Sequence, residues 1–273
     1  MNTVESIKQK RSRAGKLGAR RRYELYGNPG TPEGRLLGGK ISSTRQRKNL
    51  NSPFTRKKIH EPPYSADFAE CVGIILGDGG ITSRQLSISL HKKDDFLYSK
   101  YVVKPLSLLF RSPITVTERN NVLILIISRT ELVAFLESRG MRKGNKVKKQ
   151  VQVPAWVSKR KTYIKRCIRG LIDTDGCLYV DVHKHKNTVY KNIGLNFTNR
   201  SLPILNFVKD NLLKMGYHPT HNTRFSIFLR REREVMRYMK EIGTSNKKIE
   251  NKLESYVAEK YGSEKYGRVP KRS

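Results

Sequence analysis

The chain has 273 residues and carries 56 Lys+Arg against 23 Asp+Glu, a formal net charge of +33. The length suits one or two domains, and the charge excludes an ordinary enzyme of small neutral substrates as the first reading. A polyanion is expected as partner: nucleic acid first, an anionic membrane second. No apolar run reaches the length of a spanning helix, and no signal-peptide core follows Met1. The three cysteines, Cys71, Cys167 and Cys177, form no CxxC pair and no zinc spacing. They read as small core residues in a reducing compartment, so the chain is expected to be intracellular (the cytoplasm of a prokaryote, or an organelle) and not secreted.

In chain order, residues 1–65 read as a basic extension and linker. Val4 to Leu25 suits a helix with a thin apolar stripe, dense in cations that include Arg20, Arg21 and Arg22. A turn-rich break follows over Gly27 to Gly34, then a short basic segment over Arg35 to Lys48 that contains Gly38-Gly39-Lys40. Asn51 to Pro63 reads as an extended linker, because Pro53, Pro62 and Pro63 bar a helix and Arg56, Lys57 and Lys58 add charge. A nucleic-acid arm is favoured over a solubilising tail or a transit peptide.

From Asp67 the pattern becomes that of a compact domain. Asp67 to Gly77 reads as a helix, Ile81 as the start of a strand, and Leu86 to Leu90 as a half-buried strand. A helix opening at Asp94 carries Pro105 inside it. Ile114–Thr117 and Val122–Ile127 flank a tight turn at Asn120-Asn121, and Arg129 to Arg139 is a helix stopped by Gly140. The order then repeats. Lys161 to Thr174 is a helix; Cys177–Val182 and Asn192–Thr198 are strands joined by a long basic loop. Leu202 to Met215 is a helix, His218–His221 and Arg224–Leu229 a hairpin, and Arg231 to Ile242 a helix. A last helix runs from Asn246 to Tyr261, before a basic tail. The division is 66–160 and 161–262 for the two units and 263–273 for the tail.

Two stretches tie the repeat together, Cys71 to Gly79 and Ile168 to Gly176. Each carries small residues four apart, Gly73 and Gly77 in one, Gly170 and Thr174 in the other, and each ends in Asp-Gly. Small residues four apart share a helix face and let two backbones approach closely. Asp78 and Asp175 lie 175 − 78 = 97 residues apart, at the same place in each unit. Plain buried helices with Gly C-caps would explain the glycines. They would not explain an anion twice at a helix C-terminus, where the macrodipole disfavours it. Two such helices packed together set two carboxylates side by side, which repel unless a cation lies between them. A divalent-metal site on a pseudo-twofold axis follows.

One face of each strand pair is polar: Arg84, Ser87, Ser89, His91, Thr115, Thr117 and Arg119 in the first unit. Asp181, His183, His185, Asn196, Thr198, Thr223 and Arg224 supply it in the second. Such a face suits phosphates and base edges. His183 and His185 lack a third ligand, so they read as groove-facing rather than zinc-binding. Trp156 after Pro154 reads as a core anchor between the units.

At these residues the chain resembles the two-motif, single-chain LAGLIDADG homing endonucleases. Arg169-Gly-Leu-Ile-Asp-Thr-Asp-Gly176 is close to the family motif. Gly73-Ile-Ile-Leu-Gly-Asp-Gly79 resembles its variant, with Leu76 in place of the first acid. The lead-in Lys148 to Trp156 and the stretch Ile242 to Lys248 fit as well, and the resemblance covers about Asp67 to Tyr261. It implies an α+β fold of two pseudo-symmetric αββαββα units, whose antiparallel sheets form a DNA-binding saddle. It implies a metal-dependent DNA endonuclease, a monomer on double-stranded DNA, that leaves short 3′ overhangs. Asp78 and Asp175, with the carbonyls of Gly77 and Thr174, would bind Mg²⁺, with Mn²⁺ as a substitute. Matching the second-strand ends puts His91 and Asn199 beside the metals. Lys148, chosen over Lys146 and Lys149, and Lys248 are the candidates near the scissile phosphates; plain phosphate-facing lysines are the alternative. The competing functions are an RNA maturase acting on host intron RNA and a non-cleaving DNA-binding protein on the same fold. No splicing cysteine or His-Asn terminus marks an intein, so an intron-encoded or free-standing reading frame is expected.

Overall fold

The computed structural model describes residues 6–49, 57–186 and 188–262, apart from the side chains of Lys8, His185 and Asn222. The chain divides into two compact units, residues 1–57 and 58–273. In the first, helix α1 (Ile7–Tyr26) opens on a capping box between Ser6 and Gln9 and closes at Gly27, whose φ is 70°. Helix α2 (Pro32–Lys48) starts three residues before the expected Arg35, because Thr31 caps it and Pro32 sits in its first turn. The turn between them is held by Asn28 and Thr31. Gly34 packs so closely on Asn28 that a Cβ there would lie 1.8 Å from the Asn28 carbonyl oxygen.

The second unit carries the repeat. Helix α3 (Ala66–Gly77) is capped by Ser65 and runs into β1 (Gly79–Ile81) and β2 (Leu86–His91). Helix α4 (Phe96–Phe110) contains Pro105; β3 (Thr115–Arg119) and β4 (Val122–Ile127) turn at Asn120, φ 53°; α5 (Thr130–Ser138) ends the half. After a 3-10 turn, Ala155–Lys159, the series recurs. It runs as α6 (Lys161–Asp175), β5 (Gly176–His185), β6 (Thr188–Thr198), α7 (Leu202–Lys214), β7 (Thr220–Thr223), β8 (Ser226–Leu229) and α8 (Glu232–Glu241). Helix α9 (Lys247–Tyr261) closes it. The sheets share one topology, β1-β2-β4-β3 and β5-β6-β8-β7, with every neighbouring pair antiparallel. The α+β fold of two like units is as the sequence predicts.

Three expectations are corrected. Ile81 ends a strand instead of starting one, because Gly79 already pairs with Ile88. The long basic loop between Val182 and Asn192 is strand: β5 and β6 stay paired from Gly176–Phe197 out to His185–Thr188. Its polar residues look like loop, but Lys191 is gripped from behind by Glu259, and its carbonyl accepts from Tyr256 and Lys260 of α9. The expected strand at His218 begins at Thr220 instead, since His218 donates its N–H and ring to buried Glu234.

Each sheet turns one face to the helices. Leu86, Ile88, Leu123, Leu125 and Ile127 are buried in the first, and Leu178, Ile193, Leu195 and Phe197 in the second. Fully burying each such side chain contributes about 1.5–3 kcal/mol. Trp156 joins the halves as expected. It stacks on Phe68 of α3 and Tyr64, meets Tyr163 of α6 edge-on, and donates its indole N–H to the Arg139 carbonyl.

Candidate active site

The site begins where α3 and α6 cross. A Cβ on Gly73 would fall 2.2 Å from the Cys167 carbonyl oxygen, and one on Gly170 would fall 2.4 Å from that of Glu70. Real Cβ atoms do not come so close, so only glycine lets these backbones touch. Farther along, Thr174 fills the space over Gly77, its hydroxyl folded back on the Gly170 carbonyl at 2.9 Å. Gly79 and Gly176 each pack on the carbonyl of the residue four back, Ile75 and Ile172, which turns both helices straight into strands.

That crossing carries Asp78 and Asp175 to the same spot. Burial and the neighbouring Asp175 raise the Asp78 carboxyl to about 7, against a smaller opposing pull from Lys146. Asp175 is also raised by burial, and held back by Lys146 and by the hydrogen bond from Asn199. Asn199 Nδ2 donates to Asp175 Oδ2 at 2.8 Å, and its Oδ1 accepts from Ser201 N at 2.8 Å, so the carboxamide is fixed at both ends.

The lysine at the carboxylates is Lys146, not the expected Lys148. Lys146 Nζ donates to the carbonyls of Leu76 and Gly77, at 2.9 Å for the first. Burial lowers its pKa while both aspartates oppose that shift. Lys148 is exposed, and its backbone N–H is taken by Asn145 Oδ1. Nothing in the sequence separates Lys146 from its neighbours; the Asn145 turn that aims it is visible only in three dimensions. Lys248 does reach the site. It draws the Asp78 carboxyl down, and its Nζ lies 3.9 Å from Asp95 Oδ1. Asp95, unforeseen from sequence, is a third carboxylate that raises Asp78. Asp173 is buried to 3 % exposure and accepts from Thr244 Oγ1 and Ser245 N. It thereby pins the loop that starts α9 and carries Lys248.

His91 and Asn199 are not equivalent, contrary to expectation. The glycines after the aspartates pair with Ile88 and Phe197. Two residues on, Asn199 therefore matches Leu90, which is buried, and His91 matches Arg200. His91 Nδ1 faces Asp94, at 3.1 Å from its N–H. Of the metal-binding carbonyls expected, that of Gly77 accepts from Lys146.

The open sheet faces hold the remaining candidates. Ser87, Ser89, Thr115, Thr117 and Arg119 share one face, with Arg84 in the β1–β2 turn. In the second sheet Asn196, Thr198 and Ser226 form a hydrogen-bonded chain, and His183 stacks on Tyr190 at 5.5 Å. Thr223 pairs with Ser226 beside the exposed Arg224. Arg20, Arg21, Arg22, Lys40, Lys57 and Lys58 are exposed. Arg56 and the side chain of His185 lie outside the described residues.

Residues 162–256 match the family described as LAGLIDADG-like domain. Among solved structures, a point mutant of I-SmaMI is 9 % identical, with a TM-score of 0.51 over 74 % of this chain and 93 % of that one. The meganuclease I-SmaMI bound to uncleaveable DNA with a TTCT central four is 10 % identical, with a TM-score of 0.51 over 72 % and 92 %. The LAGLIDADG meganuclease I-AabMI bound to uncleaved DNA is 11 % identical, with a TM-score of 0.49 over 72 % and 91 %. No curated protein sequence matches the chain. At these identities the likeness is one of fold: the chain resembles the meganuclease I-SmaMI in architecture, and its second unit matches the LAGLIDADG-like domain. Among the described residues no helix is long and apolar enough to cross a membrane.

Proposed function

We propose that the protein is a site-specific endonuclease that cuts both strands of duplex DNA with a divalent cation, acting as a monomer and leaving short 3′ overhangs. The observation that carries this is the meeting of Asp78 and Asp175 at the α3–α6 crossing, two partly buried anions with raised pKa values. A pure DNA binder has no use for such a pair. The donor set fits Mg²⁺, with Mn²⁺ as a substitute: hard oxygens from two carboxylates, the rest left to the Thr174 carbonyl, phosphate and water, and to the Gly77 carbonyl only where the cation displaces Lys146. Among the described residues no three His, Cys, Asp or Glu are placed to hold a metal ion by themselves.

Asp78 and Asp175 would hold the cation, which when bound polarises a phosphate and acidifies water. Asn199 fixes the Asp175 carboxylate. Lys146, poised at the Gly77 carbonyl, supplies positive charge where the phosphate gains negative charge. Lys248, anchored through the Asp173 loop, does so on the Asp78 side. The exposed hydroxyls, amides and cations of the sheet faces would take the groove.

The test is cleavage of selected duplex sites with Mg²⁺, and with chelator as control. Linear products with matching 3′ overhangs are expected, lost in Asp78→Asn and in Asp175→Asn while binding persists, since phosphate contacts dominate affinity. Wild-type cutting by either variant would overturn the shared metal site.

A further inference from the structure

The two open sheet faces differ in chemistry at matched positions. In the first sheet, Val122, Ile124 and Ile126 of β4 point away from the helices, because Leu123, Leu125 and Ile127 fill the buried face. They are half-buried on the face opposite the helices of their own unit, and lie mid-sheet, paired on one side with Ser87, Ser89 and His91 and on the other with Thr115, Thr117 and Arg119. The matching strand of the second sheet reads otherwise. Ile88–Leu125 corresponds to Phe197–Ile227, so Ile124 corresponds to Ser226 and Ile126 to Phe228, whose ring is taken up by Tyr179, edge-on at 6.0 Å, and by Arg230 at 4.8 Å. Where the first sheet sets Ser89 beside Ile124, the second sets Thr198 beside Ser226 at 2.8 Å, with Asn196 joined to the same chain.

An aliphatic stripe on an open strand face would expose apolar surface to water for no return. Its neighbours are hydroxyls, the His91 imidazole and the Arg119 cation, and the chain carries a large positive charge, so a duplex is the complementary occupant. In the major groove only thymine offers an apolar group, its C5-methyl; the other bases show donors and acceptors that a valine or isoleucine cannot satisfy.

We infer that Val122, Ile124 and Ile126 read thymine methyls, so that the half-site under the first unit is thymine-bearing, whereas at the position matched to Ile124 the second unit presents the Thr198–Ser226 hydroxyl pair. This rests on the proposed DNA-cleaving function and goes beyond it, by stating a base composition and assigning it to one half.

Full-length Asp78→Asn chain is used to select bound duplexes from a random library. An iron chelate tethered at Ser83→Cys, in the exposed β1–β2 turn, marks the half under the first unit; Cys177→Ser removes the exposed cysteine, Cys71 and Cys167 being buried. Thymines opposite the stripe are expected there, on either strand. Replacing them with deoxyuridine should weaken binding by the wild-type chain about fourfold per methyl removed. The same replacement in the other half should change binding less. Ile124→Asn with Ile126→Asn should reduce the discrimination to that left by Val122; the wild-type deoxyuridine comparison stands even if that variant fails to fold. Selected sites without thymine in the marked half, or indifference to deoxyuridine, would overturn the inference and leave the endonuclease reading intact. Failure to select any duplex would overturn both.

Discussion

Asp78 destabilises the fold that holds it. A free aspartate titrates near 3.9, whereas burial and Asp175 raise this one to about 7. Between those values the native chain keeps a proton that the unfolded chain has released, so stability falls as pH rises from about 4 to about 7 and levels off above. Asp78→Asn removes the buried charge. The metal-free variant should therefore exceed its parent in stability by roughly 1–3 kcal/mol above pH 7, the gap closing below about pH 4. Urea unfolding in chelator at several pH values measures this. An equal or lower stability at pH 8 would mean that the carboxylates do not crowd each other. Lys146 invites a kinetic test: Lys146→Met should slow cutting by about 10²–10³-fold with the fold intact, whereas Lys148→Met should leave most of the rate. The reverse ranking would restore Lys148. That choice was illegible in the sequence, since three lysines stand within four residues and only the turn at Asn145 selects one. The aspartates were legible, because an acid at the end of a small-residue stripe has few other reasons to recur.

At the scale of elements, the α3–α6 crossing sets everything else. Even Gly73→Ala would drive a methyl into the Cys167 carbonyl, so a loss of about 1–3 kcal/mol or more is expected by overpacking, seen as a lowered Tm. An unchanged Tm would show that the helices have room. The crossing is also charged. Glu70, 3 % exposed, is bonded by Arg169, by Arg166 at 3.0 Å and by Tyr101 at 2.7 Å, and it accepts from Ser245 at 3.1 Å. Removing the acid strands the Arg169 guanidinium, so Glu70→Ala should cost about 3–5 kcal/mol, measured by denaturant unfolding. Glycine spacing made the helix contact readable. The Glu70–Arg169 pair was not readable, because its partners stand 99 residues apart and join only when the helices cross. Hairpin lengths failed for another reason: alternation of His, Lys and Asn along β5 and β6 resembles loop until α9 is seen to brace Lys191. The His91–Asn199 match failed by one residue of register, and in a strand one residue reverses the face.

At the scale of the whole molecule, residues 1–57 form a basic unit of their own. Their only acids are Glu5, Glu24 and Glu33, among many Lys and Arg. Among the described residues of this unit only Gly34 is buried, and Ile7, Leu17 and Leu36 stay exposed. Two helices joined by a capped turn, with no core, are marginal alone. A polyanion supplies what they lack, by neutralising the cations that crowd α1 and α2. An isolated peptide of residues 1–57 should therefore gain helix, read by circular dichroism, when duplex DNA is added. Deleting the same residues should leave the remainder folded and able to cut, because the motif helices, both sheets and Lys146 all lie beyond them. Binding should weaken, with a shorter footprint. The slope of log affinity against log salt should become shallower by about 0.9 for each phosphate that the shortened chain leaves unneutralised. A solubilising tail predicts the same slope and footprint with or without the segment. Footprinting and salt titration of the full and shortened chains on one selected site separate the two, and an unchanged slope would reduce the arm to a tail.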